Sequence, residues 1–260
     1  MNNENFSCQR ILITNDDGID AMGLAVLKKI AAQLAPEVWI VAPDHERSGA
    51  SQGISLHRTL QIETRSEKEY AVAGTPADCV AIACGHLMAD SRPDLILSGI
   101  NRGPNLGNET LLSGTVGAAL TGLMFGIPSV ALSLAHRDKM AQPHWETPEF
   151  HGPKVLRTLL TAGWPKDVCL NVNFPDTALE NIRPFIFTRQ GRGSMNGFRI
   201  SVKSSEGPVS KCHIELKHGE AEDSMETEFG AVNQNCISVT PLQFNRTNEN
   251  SRLLLELTVS

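Results

Sequence analysis

The strongest constraint on the fold is an alternation through the first two thirds of the chain. Short apolar runs of strand length are separated by longer segments with helical periodicity. The runs "ILIT" (11–14), "EVWIVA" (37–42), "DLILSG" (94–99), "SVALSL" (129–134) and "DVCLNVN" (167–173) read as strands. Between them, "GLAVLKKIAAQLA", "PADCVAIACGHLM", "GTVGAALTGLMF" and "PKVLRTLLTAG" read as helices. In the first of these, Leu24, Leu27, Ile30, Ala31 and Leu34 form one stripe and the lysines lie off it. Strands that alternate with helices predict parallel βα units, hence an α/β, Rossmann-like, doubly wound and mostly parallel sheet. Its functional edge lies where the strands end at their carboxyl termini.

After about Pro175 the texture changes: "IRPFIFTRQG", "FRISVKS", "KCHIELKHG" and "CISVTPL" read as strands between Gly, Ser and Asn turns. The expectation is one domain over 1–260, with a parallel core at approximately 10–175 and a β-rich C-terminal extension at 176–260. The apolar end of "NRTNENSRLLLELTVS" is expected to dock on a neighbouring subunit or on its own domain.

Composition narrows the partners. A formal charge of −6 over 260 residues disfavours a nucleic-acid polymer, which requires a basic face. No apolar run is long enough to span a bilayer, and the polar start "MNNENFSCQR" is unlike a secretory leader. The six cysteines form no CxxC pair and several sit in apolar segments, so reduced, mostly buried thiols in a cytoplasmic protein are expected.

Chemistry-bearing residues gather at the predicted strand ends. The first strand runs into Asn15, Asp16 and Asp17; the second into a loop with Asp44, His45, Arg47, Ser48 and Ser51; a later one into Asn101 and Asn105. Parallel strands bring these ends to one edge. Asp16, Asp17, Ser48 and Asn101 are all hard oxygen donors, suited to Mg²⁺ or Mn²⁺ rather than to the soft or imidazole-rich sites of zinc. Without a cation, two buried neighbouring carboxylates would force one to keep a proton. A simple turn or helix start explains "NDDG" alone equally well, with Gly18 letting the chain turn away. In "LLSGTVGAAL", Ser113, Gly114 and Thr115 stand where a loop enters a helix. That placement suits an anion at the helix amino terminus, or an ordinary helix cap. "GTPADC" reads as a structural helix start, with Thr75 as cap and Asp78 three residues on. There is no Walker lysine motif and no GxSxG elbow.

Taken in order, "ILITNDDGIDAMG", "VAPDHERSGAS", "GTPADCV", "DLILSGINRGPNLG", "SGTVGAA" and "ISVTPL" closely resemble the SurE family of stationary-phase survival nucleotidases. The resemblance spans nearly the whole chain. It implies a metal-dependent phosphomonoesterase acting on nucleoside 5′- and 3′-monophosphates, with one divalent ion per subunit. It also implies a homodimer or homotetramer built partly by exchange of C-terminal segments. The family's metal ligands fall on Asp16, Asp17, Ser48 and Asn101, and its phosphate contacts on Asn105, Ser113, Gly114 and Thr115. The expected mechanism is metal-assisted hydrolysis, with one of Asp16 and Asp17 orienting or deprotonating the water; a covalent aspartyl-phosphate is the alternative route. The rival functions are a phosphatase for other phosphomonoesters or polyphosphate, and a non-catalytic nucleotide-binding module. This chain departs from the family at Asn108, Glu109, Leu112, Thr121 and Cys236. Those positions bear on base preference and subunit contacts, not on the metal ligands.

Overall fold

The structure is a computed structural model that describes residues 8–138, 140–248 and 251–252. Among these residues the main sheet has nine strands. β1 (Arg10–Thr14) lies inside it, with β2 (Glu37–Pro43) and β5 (Leu95–Arg102) parallel on either side. Beyond β2 come β4 (Glu69–Val72), parallel, and β3 (Ile62–Ser66), antiparallel at the edge. Beyond β5 come β6 (Ser129–Leu134) and β7 (Cys169–Phe174), both parallel.

Period-two alternation assigns each strand's side chains to two cores. Ile11 and Ile13 face one core and Leu12 the other; Leu95 and Leu97 face the first and Ile96 the second. The first core is closed by α1 (Met22–Ala31) and α4 (Glu146–Ala162), and the second by α2 (Pro76–Ile82) and α3 (Gly114–Met124). Helices on both faces explain why the central strands are apolar throughout. α1 buries the expected stripe and leaves Lys28 and Lys29 outside, where Lys29 Nζ meets Glu149 Oε2 of α4 at 2.9 Å.

Three helices differ in extent from the sequence reading: α1 ends at Ala31, so Leu34 of the expected stripe lies in the turn beyond it. α4 begins at Glu146 rather than Pro153, because Pro153 sits inside it rather than at its first turn. α2 gives way to a π turn over Ala83–Leu87. The edge pair β3–β4 had no sequence signature, since β3 is exposed along its length and carries charges.

The C-terminal third divides in two. β11 (Cys236–Leu242) pairs antiparallel with β7, and β8 (Arg183–Phe187) pairs parallel with β11, so both complete the main sheet. β9 (Met195–Glu206) and β10 (Val209–His218) form a separate two-stranded hairpin. The pairs Phe198–Leu216, Ile200–Ile214 and Val202–Cys212 share one face of it and are exposed. α5 (Glu228–Asn233) packs beside β11. The apolar tail at 253–260 lies outside the described residues. All six cysteines are free, and all but Cys212 are buried. Among the described residues no helix is long and apolar enough to cross a membrane.

Asp78 joins the second helical layer to the loop after β2. Its carboxylate accepts from the Thr75 N–H at 2.9 Å in a reciprocal capping box, and from the Ser55 N–H and hydroxyl at 2.9 and 2.8 Å. Replacing it leaves three donors short of an acceptor in a buried position. Asp78→Ala should therefore lower unfolding free energy by about 2–4 kcal/mol in urea titration; a loss under about 0.5 kcal/mol would show that the loop is held elsewhere.

Candidate active site

The strand order places a topological switch at β1: the chain runs from β1 out to β2 and β4, then returns to β5 on the other side. Loops leaving β1 and β5 therefore flank a crevice at the carboxyl edge. Asp16 and Asp17 leave β1 there, and Asn101 and Arg102 close β5. The Asp17 carboxylate accepts the Arg102 N–H at 3.0 Å, which seats it one residue from Asn101. The Asp16 carbonyl accepts the Arg47 N–H at 2.7 Å, one residue before Ser48. Gly18, at φ 102°, turns the chain against the backbone of His45 and Glu46, and the buried Asn15 side chain donates to its carbonyl at 2.7 Å. Backbone contacts thus draw the segments bearing Asp16, Asp17, Ser48 and Asn101 to one end of the sheet.

The donors differ in environment. Asp16 is 4% exposed, Asp17 and Asn101 are half-buried, and Ser48 is exposed. The Asn101 amide nitrogen donates to the Gly103 carbonyl at 2.9 Å, which gives the side-chain oxygen the acceptor role. The Ser48 hydroxyl donates to Glu46 Oε1 at 2.7 Å, which leaves its lone pairs as acceptors. His45 pairs with Asp44 at 2.6 Å on the exposed rim. Among the described residues no cluster of three or more His, Cys, Asp or Glu forms; the crevice offers two carboxylates, a hydroxyl and an amide instead.

The carboxylates carry the electrostatic load. Burial pushes Asp16 up to about 6; the Thr115 hydroxyl bond opposes the rise and the charge of Asp17 adds to it. Burial also raises Asp17, against the Arg102 N–H, and the nearby Glu46 adds to the rise. Their hydrogen-bond partners are the Thr115 hydroxyl and backbone N–H groups, not cationic side chains. A divalent cation suits such a pair, because it removes the repulsion that burial intensifies.

The amino end of α3 faces the same carboxylate. Thr115 Oγ1 donates to Asp16 Oδ1 at 2.6 Å, and a Cβ added to Gly114 would lie 2.9 Å from Asp16 Cβ. Only glycine lets the helix start this close. Ser113 is the cap: its hydroxyl accepts from the Val116 N–H at 3.1 Å. The N–H groups of Ser113, Gly114 and Thr115 precede the first helical acceptor and have no intrahelical partner. The cap and the anion cradle are therefore compatible roles of one helix start.

Asn105 is fixed by residues that the sequence reading had not singled out. Its N–H donates to Asn173 Oδ1 at 2.9 Å, and its carbonyl accepts from Asn171 Nδ2 at 2.9 Å and Asn173 Nδ2 at 3.1 Å. Its own amide nitrogen donates to Ser133 Oγ at 2.9 Å, so part of that side chain is turned into the sheet edge. The two asparagines alternate within the buried strand "CLNVNF", a signal present in the sequence. Beyond Asn105, the buried Glu228 accepts the Gly107 N–H at 2.6 Å. Nothing in the local sequence around residue 228 points to a site 121 positions away.

Comparison with known proteins places the chain in a family. The family profile described as "Survival protein SurE" matches residues 11–197. A protein named 5′-nucleotidase SurE 1 from Burkholderia lata is 47% identical over 240 residues, covering 92% of each chain. A 5′-nucleotidase SurE from Azorhizobium caulinodans is 42% identical over 241 residues, covering 92% of this chain and 94% of its own. The crystal structure of the SurE protein from Aquifex aeolicus superposes with a TM-score of 0.81 at 32% identity, covering 96% of this chain and all of that one. With a carboxylate pair at the switch point and a glycine-started helix closing on it, the chain belongs to the SurE family of survival proteins.

Proposed function

We propose that this protein is a phosphomonoesterase that hydrolyses nucleoside 5′- and 3′-monophosphates to nucleoside and inorganic phosphate. The observation that carries the reading is the approach of α3 to Asp16: the 2.6 Å Thr115–Asp16 bond sets an anion-receiving helix end beside a buried carboxylate pair. Relatives bearing the name 5′-nucleotidase support the substrate class.

One divalent ion per subunit, Mg²⁺ or Mn²⁺, fits the donor set of Asp16, Asp17, Ser48 and Asn101. When bound, such an ion supplies Lewis-acid polarisation and a water of lowered pKa. The protein's own groups do the rest. The N–H groups of Ser113, Gly114 and Thr115, with Asn105, bind phosphoryl oxygens at the positive end of α3. The Thr115 hydroxyl holds Asp16 in one orientation, and the Arg102 N–H holds Asp17. A carboxylate so oriented orients the attacking water or accepts its proton.

A homodimer or homotetramer is part of the same proposal. A two-stranded hairpin is marginal alone, and the uncovered face carrying Phe198, Ile200, Val202, Ile214 and Leu216 suits a second copy. A cytoplasmic location accords with six unpaired cysteines.

Three outcomes test these assignments. Phosphate release from a panel of nucleoside monophosphates should require Mn²⁺ or Mg²⁺ and stop with chelator, and Asp16→Asn should cut kcat/KM by roughly 100-fold or more. Metal-loaded protein that binds nucleotide and releases nothing would make it a binding module; release only from other phosphomonoesters or polyphosphate would change the substrate class.

The second outcome concerns the metal-free protein. Folded Asp16 keeps its proton up to about pH 6, whereas the unfolded chain loses it near 3.8, so this group's contribution to stability falls as pH rises through that window. The total is about 3 kcal/mol. Unfolding free energies should therefore shift in favour of Asp16→Asn between about pH 4 and about pH 6, and Mn²⁺ should raise the thermal midpoint of the wild type only. A difference independent of pH contradicts the buried-carboxylate account.

Third, light scattering should give a multiple of the 28.2 kDa subunit, and Ile200→Lys with Ile214→Lys should lower it. A monomeric wild type would remove the assembly proposal.

A further inference from the structure

The turn between the two phosphate-facing segments is gripped from outside the parallel core. Gly107 opens a 3-10 turn, Gly107–Leu111, that lies between Asn105 and the start of α3. Its N–H donates to Glu228 Oε1 at 2.6 Å, and its carbonyl accepts from Gln190 Nε2 at 2.7 Å. Glu228 also takes the Gly191 N–H on Oε2 at 2.8 Å, and Gln190 Nε2 also donates to Thr110 Oγ1 at 2.8 Å. One residue, Gly107, is thus held at both its backbone donor and its backbone acceptor by the C-terminal third of the chain. The segments touch directly: a Cβ on Gly107 would lie 2.1 Å from the Gly193 nitrogen.

The chemistry of the grip is specific. Glu228 is fully buried, which raises its pKa, and the two backbone N–H donors oppose that rise. A carboxylate accepts both donors at once, whereas an amide offers one acceptor oxygen and turns its NH₂ towards the other N–H. The flanking anchors are independent of this one. Asn105 is held by Asn171 and Asn173 of β7, while Leu111 and Leu112 present their carbonyls to Ser51. Between those anchors the turn is gripped at Gly107 by Glu228 and Gln190, and at Asn108 and Glu109 by Met195 and Ser194.

We propose that Glu228 and Gln190 are positioning residues for phosphate: by fixing the 107–111 turn they set the spacing between Asn105 and the Ser113–Thr115 amides. The inference rests on the phosphate-binding reading above. Neither residue is assigned a contact with the reacting atoms. A displacement of about 1 Å in such donors can cost on the order of 100-fold in rate.

The test uses the full chain loaded with Mn²⁺ and two variants. Glu228→Gln keeps size but mispairs one N–H; Gln190→Met keeps length, removes the donors and sits at an exposed position that tolerates replacement. Three quantities are measured: Mn²⁺ affinity, affinity for inorganic phosphate by calorimetry, and kcat and KM for a nucleoside monophosphate. Each variant should keep wild-type Mn²⁺ affinity, bind phosphate at least about tenfold more weakly and raise KM to match, since the lost contacts serve phosphate in ground and transition states alike. A merely structural defect would weaken Mn²⁺ binding together with phosphate binding, and that result overturns the proposal. So does a folded variant with wild-type phosphate affinity. If Glu228→Gln fails to fold, Gln190→Met decides alone. A wild type that binds phosphate but hydrolyses no nucleotide defeats the nucleotidase reading, while the phosphate comparison still decides the positioning role. A wild type that binds no phosphate overturns the positioning role whatever it hydrolyses.

Discussion

Asp16 is a carboxylate that the fold buries beside another carboxylate and then seals with the amino end of a helix. Burial and its neighbour raise it to about 6 even though the Thr115 hydroxyl opposes the rise, a net cost of about 3 kcal/mol. A fold selected for stability alone would place an apolar residue there. The neighbouring features follow from tolerating that cost. Gly114 has no side chain because Asp16 Cβ occupies its space, Gly18 turns the chain out beneath the β2 loop, and Asp17 is steadied by the β5 backbone.

The sheet makes this local arrangement possible. Because β1 lies at the switch between two directions of winding, its carboxyl end opens into a crevice rather than against a crossover. Its flanks are buried on both faces, so the strand ends are rigid and the loops inherit that rigidity. The C-terminal third adds a second layer of control. β8 and β11 widen the sheet, while α5 and the 190–193 segment reach back to the turn at Gly107. The hairpin proposed to meet another subunit springs from the same region: Ser194 and His218 at its base meet Glu109, and Met195 accepts from Asn108.

How much of this was legible in the sequence depended on whether the cause was local. β1, β2, β5, β6 and β7 announced themselves because strands buried on both faces are largely apolar runs. The Thr75–Asp78 capping box was readable because its donors and acceptors lie within three residues. β3 was not, because an exposed edge strand has no burial pattern to display. Pro153 misled the start of α4, since proline suits a first turn and here sits within the helix. At the crevice, residue types at strand ends suggested convergence and the family resemblance matched them. The approach of Thr115 to Asp16 joins residues 99 apart, and the hold of Glu228 on Gly107 joins residues 121 apart. Long-range pairs of this kind follow from the closed topology, not from any window of sequence.

The central claim is that the carboxylate pair is built for a divalent cation with a phosphate held against it by α3. The most direct measurement is anomalous diffraction from crystals grown with Mn²⁺ and a phosphate analogue. The account predicts one anomalous peak per subunit at about 2.0–2.2 Å from oxygens of Asp16, Asp17, Ser48 or Asn101, with the analogue against the Ser113–Thr115 amides. A peak elsewhere, or an analogue bound away from α3, would contradict it.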